Sequence, residues 1–213
     1  PIRIGNAAGE TTQGNYSVAI GNNAGKTGQS NNSVALGDTA GFQSQGQYSI
    51  ALGQNAASYN QDQYSVAIGY QAGQTDQSNN SVAIGLNTGQ TTQGESSVAI
   101  GNGAGGTNQG PYSIAMGYGA GNQNQGQSSV AIGYQAGQSS LGVNSVAIGP
   151  NTVCTDASSV ALGSGATTTA NNQIVLGTAT ETVKIPGDLD VTGDLDVSGN
   201  VTGNVTGNIT GNA

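Results

Sequence analysis

The 213-residue sequence has no histidine, no tryptophan, one cysteine, three basic residues and only 7% charged residues in all. Each shortage removes a class of function. With no histidine and with Cys154 alone, the usual metal-ligand sets and acid–base or thiol pairs have no parts, and no intrachain disulfide forms. Neither an enzyme activity nor a cofactor is expected. Arg3, Lys26 and Lys184 against a net charge of −8 leave nothing to neutralise a phosphate backbone, so nucleic acid is not an expected partner. No apolar run is long enough to span a bilayer and no signal peptide is visible, so no membrane insertion is expected in this segment. The chain opens in mid-repeat at Pro1, and it reads as a piece of something longer.

What the chain has instead is glycine, 37 of 213 residues, and a pentapeptide written over and over. In Ser65-Val66-Ala67-Ile68-Gly69 the serine belongs to a series from Ser17 to Ser145 that advances by sixteen residues without a slip. Pro1-Ile2-Arg3-Ile4-Gly5 is a copy one period upstream. Downstream the spacing contracts to fourteen, with Ser159-Val160-Ala161-Leu162-Gly163 and the degraded Gln173-Ile174-Val175-Leu176-Gly177 making twelve copies in all. Three residues past each motif glycine stands a small residue, as at Ala24, Ala40 and Ala72, with Thr88 and Thr152 as variants. A fixed glutamine closes each unit from Gln13 to Gln125 and gives way to Leu141.

Such periodicity is the signature of a stacked repeat. Aliphatic, alanine, aliphatic over three positions is the alternation of a short strand, and repeated glycines with β-branched residues argue against helix. The expectation is one strand per turn of a parallel β-solenoid, the copies stacked about 4.8 Å apart in a rod of roughly 50 to 55 Å. One turn alone buries too little to offset the ordering of sixteen residues, so only the stack is stable. The glutamine column reads either as a ladder of stacked amides or as a residue suited to a polar turn.

Hydrophobicity alone places the aliphatics, as in Val18, Ile20, Val66, Ile68, Val82 and Ile84, inside the coil. Alternation then turns the intervening alanines outward: Ala19, Ala35, Ala51, Ala67, Ala83, Ala99, Ala115, Ala131, Ala147 and Ala161. An outward position that stays alanine in ten copies implies a close neighbour, expected to be a second copy of the chain in a symmetric oligomer. Tolerance of alanine on a thin strand is the alternative. Tyr70, Tyr118 and Tyr134 follow the motif glycine, and Tyr16, Tyr48, Tyr64 and Tyr112 precede the motif serine. Packing over neighbouring turns is the preferred reading of these rings. Stacking on host glycans is the alternative, with Tyr70, Tyr118 and Tyr134 as the contacts.

Beyond about residue 177 the pattern changes. Thr182-Val183-Lys184-Ile185 still alternates, Pro186-Gly187 marks a turn, and Asp-Leu-Asp-Val-Thr/Ser-Gly units at 188–199 lead into Asn-Val/Ile-Thr-Gly units. The expected division is a β-roll array at 1–177 and a narrow stalk at 178–213 whose short units need several intertwined chains. Asp188, Asp190, Asp194 and Asp196 lack the ligand series of a calcium loop and read as solvated carboxylates. Gly101-Asn102-Gly103-Ala104-Gly105-Gly106 has no Lys-Ser/Thr after it and is not a phosphate loop.

The pentapeptide with its two-residue spacer and small residue, as in Ser159-Val160-Ala161-Leu162-Gly163-Ser164-Gly165-Ala166, closely resembles the head repeat of YadA-like trimeric autotransporter adhesins. Over about 1–177 that resemblance implies a left-handed β-roll, a homotrimer and the valine and isoleucine columns inside each roll. The sixteen-residue period departs from the family's fourteen by two residues per turn. The tail resembles shafts of bacteriophage and large-virus tail fibres instead. The two resemblances imply an extracellular, non-enzymatic fibre segment on a virion or a bacterial cell. Of the two, the trimeric shaft of a viral tail fibre is the preferred expectation, and an adhesin head that binds a host protein or glycan is the alternative. An ice-binding solenoid ranks third, because the file of Thr11, Thr27, Thr75, Thr91 and Thr107 is broken by Gln43, Tyr59 and Gln123.

Overall fold

The computed structural model describes residues 1–198. The chain separates into a unit at Pro1–Thr182 and a second that begins at Val183. In the second unit residues 183–198 are exposed and form bends without strands, and the later Asn-Val/Ile-Thr-Gly units lie outside the described residues.

The first unit is a parallel β-solenoid with two sheets. Every motif copy contributes one strand to a twelve-stranded sheet, from Ile2–Ile4 to Ile174–Leu176, in chain order. Neighbouring copies pair column on column, as in Val66 with Val82, Ala67 with Ala83 and Ile68 with Ile84. Eleven steps of about 4.8 Å give this sheet a length of roughly 53 Å.

The sequence pattern does not announce a second strand, present in each of the first eight turns. Eight three-residue strands, from Thr11–Gln13 to Gln123–Gln125, form a parallel sheet opposite the first, with Thr75 over Thr91 and Gln77 over Gln93. They are polar, and their middle residues, such as Thr12, Ser44 and Asn60, sit at φ of 57°, 58° and 54°, so no alternation of apolar and polar residues announces them. Past Gln125 this sheet continues only as isolated bridges through Leu141, Cys154 and Val153.

Two expectations about the motif are reversed. All ten alanines from Ala19 to Ala161 are fully buried within a single chain, so they are not a stripe at which another chain meets it. Val18, Ile20, Val66, Ile68 and Val82 are half-buried and Ile84 is 36% exposed, all on the outward face of the sheet rather than in the roll core. The reason is thickness. Space between the sheets is taken by methyl groups, serines and glutamine amides, and a Cβ placed on Gly73 would already stand 3.3 Å from the Ala67 Cβ. A branched aliphatic does not fit there. Alternation correctly separates two faces, but size, not polarity, decides which one is inside.

Three columns hold the coil closed. From Ser17 to Ser129 each motif serine donates to the carbonyl three residues back, as Ser65 Oγ does to Asp62 at 2.6 Å and Ser81 Oγ to Ser78 at 2.6 Å, whereas Ser145 donates to the Asp156 carbonyl of the next turn. Each glutamine reaches across the interior: Gln77 Nε2 donates to the Val66 carbonyl at 2.9 Å and to Gln93 Oε1 at 3.1 Å. The amide ladder among the alternatives is thus present from Gln45 through Gln93, joined to a crossing bond that the sequence did not reveal. The third column is glycine. Gly69 has φ +131°, and a Cβ there would lie 2.3 Å from the Gly85 carbonyl oxygen, so neighbouring turns touch backbone to backbone.

Candidate functional site

With the interior filled by small residues, the chemistry of the array lies on its outside. The outward face of the twelve-stranded sheet is two parallel files of aliphatics, one on each side of the buried alanines. Leu36, Met116 and Ile148 are 38%, 40% and 38% exposed, and the files continue through every sixteen-residue turn. Only the end copies interrupt the alanine column: Val175 stands beside Ala161 at one end, and at the other Arg3 stands beside Ala19 in register, its Nε donating to Gln13 Oε1. An exposed apolar band of this length is a contact surface, since folded chains seldom leave one uncovered.

The two edges carry tyrosines. On the edge leading out of the motif strand, Tyr118 and Tyr134 stack at 5.4 Å between centroids and 11° between planes. Tyr70 shares their column but stands three turns away, so the three rings proposed from sequence do not form one cluster. On the edge leading into the strand, Tyr48 and Tyr64 stack at 5.3 Å and 9°. Packing between neighbouring turns therefore accounts for two pairs, and the outer surface of all four rings stays exposed to between 49% and 55%. Tyr16, Tyr48, Tyr64 and Tyr112 also occupy left-handed backbone, φ 57–59°, where the same column elsewhere has Asn32, Asn80 or Ser96. A bulky residue is strained there, and the strain is accepted at four turns.

No group of acidic, cysteine or histidine side chains among the described residues is arranged to hold a metal ion. Cys154 is buried in the file that follows Leu141. The Glu181 carboxyl is held below its ordinary value chiefly by the Thr178 hydroxyl and then by the Thr178 amide, which donates to Oε2 at 2.6 Å.

Against known proteins, no curated sequence matches. A crystal structure of the collagen-binding domain of Yersinia adhesin YadA is similar at 21% identity, over 92% of this chain and 90% of that one, with a TM-score of 0.41. The model of the YadA head domain repeat matches residues 11–24, 44–72 and 140–166. In those segments, and in the serine-to-alanine motif that first pointed to it, the chain is similar to the YadA head domain repeat.

Proposed function

We propose that the array is a non-enzymatic head segment of a bacterial surface adhesin, displayed outside the cell as a parallel homotrimer. The outward double file of aliphatics carries this reading. One chain leaves the band bare along about 53 Å, whereas copies related by a rotation axis along the fibre bury it on one another and close without loose ends. The YadA head repeats matched at 11–24, 44–72 and 140–166 support three as the number and adhesion as the role. Stacked ladders and burial between chains make such a head stiff, and its exposed turns present residues to a host protein or glycan.

A viral tail-fibre shaft remains the second reading. It draws on the Asp-Leu-Asp-Val-Thr/Ser-Gly units at 188–199, which lie outside every matched segment. The repeats that are matched favour the adhesin.

Sedimentation equilibrium tests the assembly. A particle of three times the 20.8 kDa chain mass is expected, and a stable monomer overturns the proposal. Val82→Asp combined with Ile84→Asp is expected to drive the particle toward monomer while leaving the circular dichroism of the single chain intact. Beads coated with the wild-type trimer are expected to adhere to host cells. A trimer that adheres to none overturns the adhesin head and leaves the shaft.

A further inference from the structure

Around residue 106 the ribbed surface of the array is notched. Columns that carry side chains in the turns on either side carry none here: Gly106 stands between Gln90 and Asn122, and Gly103 and Gly119 stand between Asn87 and Gln135. The missing side chains leave a crevice of about 330 Å³. Its walls are the carboxamides of Asn87, Gln90, Asn122 and Gln138, together with Tyr118. Asn122 leans into the space, its Nδ2 donating to the Gly103 carbonyl at 2.6 Å. A Cβ on Gly106 would come within 2.6 Å of that nitrogen, so the glycine is what lets Asn122 take this position. Asn87 also lines the crevice, and its Oδ1 is buried without a hydrogen-bond partner.

The tyrosine completes the site. Tyr134, one turn later, covers one face of the Tyr118 ring. Tyr118 lines the crevice beside Asn102, the residue of its own column one turn earlier, and it stays 53% exposed despite that stacking.

We propose that this crevice binds a neutral sugar ring, packed against the exposed part of the Tyr118 ring and hydrogen-bonded through its hydroxyls to the carboxamide walls. Amides both donate and accept, as hydroxyls do, and an aromatic face receives the apolar C–H face of a pyranose. No charged side chain lines the crevice, and none of the chain's three cations stands near it in sequence. Sialylated and sulfated glycans therefore find no counter-charge. The site rests on this geometry alone. The adhesin reading adds only that three copies on one head act together.

The test is an array of neutral hexose and N-acetylhexosamine glycans beside sialylated and sulfated ones, probed with the wild-type chain and two variants. Tyr118→Ala removes the platform. Gly106→Gln restores the side chain found at Gln90 in the same column and fills the notch, where the nearest obstacle is the movable end of Asn122 at 2.6 Å and the Asn122 carbonyl follows at 3.3 Å. Binding to neutral glycans is expected, about tenfold weaker or lost in both variants, with Tyr48→Ala on the other edge as a control that keeps it. Preference for charged glycans, no glycan binding, or binding by either variant as strong as that of the wild type overturns the site. Sedimentation of the same samples separates the two proposals: a trimer that binds no sugar removes this site, and a monomer that binds removes the assembly.

Discussion

A buried glutamine in the middle of a narrow coil is a costly residue unless its amide is used, and here it is used three ways. Gln77 donates to Val66 across the roll, donates to Gln93 above and accepts from Gln61 below. Cutting it back to alanine leaves the Gln61 amide short of a partner and opens a void, so Gln77→Ala is expected to cost about 2–4 kcal/mol in urea unfolding. Gln77→Leu should cost less, because Leu141 fills the same column, 2% exposed, in the native chain. Glu181 offers a second measurement. Its carboxyl is lowered by Thr178, so the Thr178–Glu181 contact is complete above the ordinary carboxylate value and is lost as pH falls through the lower folded value. The Thr178 amide resonance is expected to follow that titration, with a midpoint below that of an unstructured glutamate, and Glu181→Gln should abolish it. The glycine and glutamine columns were legible as fixed positions. The bond from each amide to the far sheet was not, since nothing in a column of identical letters says which way it points.

At the level of the strand, three residues are too few to bury by hydrophobicity. The twelve-stranded sheet, its parallel order and its register all follow from a spacing of sixteen and then fourteen residues. The inward face does not. Ala83 is enclosed, and the Cβ position of Gly89 lies 3.3 Å from its methyl, so Ala83→Glu is expected to unfold the turns around it, read as lost β-sheet dichroism in the single chain. If Ala83→Glu merely dissociates an intact coil, the alanines belong at the chain–chain contact after all. The second sheet is hidden in the sequence for a related reason: its strands pair through backbone and a buried amide, with a left-handed residue at the centre of all eight.

On the scale of the repeat unit at Pro1–Thr182, stability is local and cumulative, each turn resting on its neighbours as in other solenoids. What the coil does not satisfy by itself is its outer aliphatic face, and that is the argument for assembly. The regular repetition was legible in the sequence, but the aliphatic face was expected inside rather than outside. The run Gly101–Gly106 stands out as glycine-rich, but the notch that Gly103 and Gly106 make with Gly119 does not, because in a chain this rich in glycine only the turns above and below reveal which glycines replace a side chain. The column-on-column register has one last consequence, for how such a gene can change. Because Val66 meets Val82 in the way Val82 meets Val98, removing forty-eight nucleotides anywhere inside the sixteen-residue region joins two turns that already fit. Recombination between copies can therefore lengthen or shorten the protein in whole steps, and selection can adjust its reach without first repairing its fold.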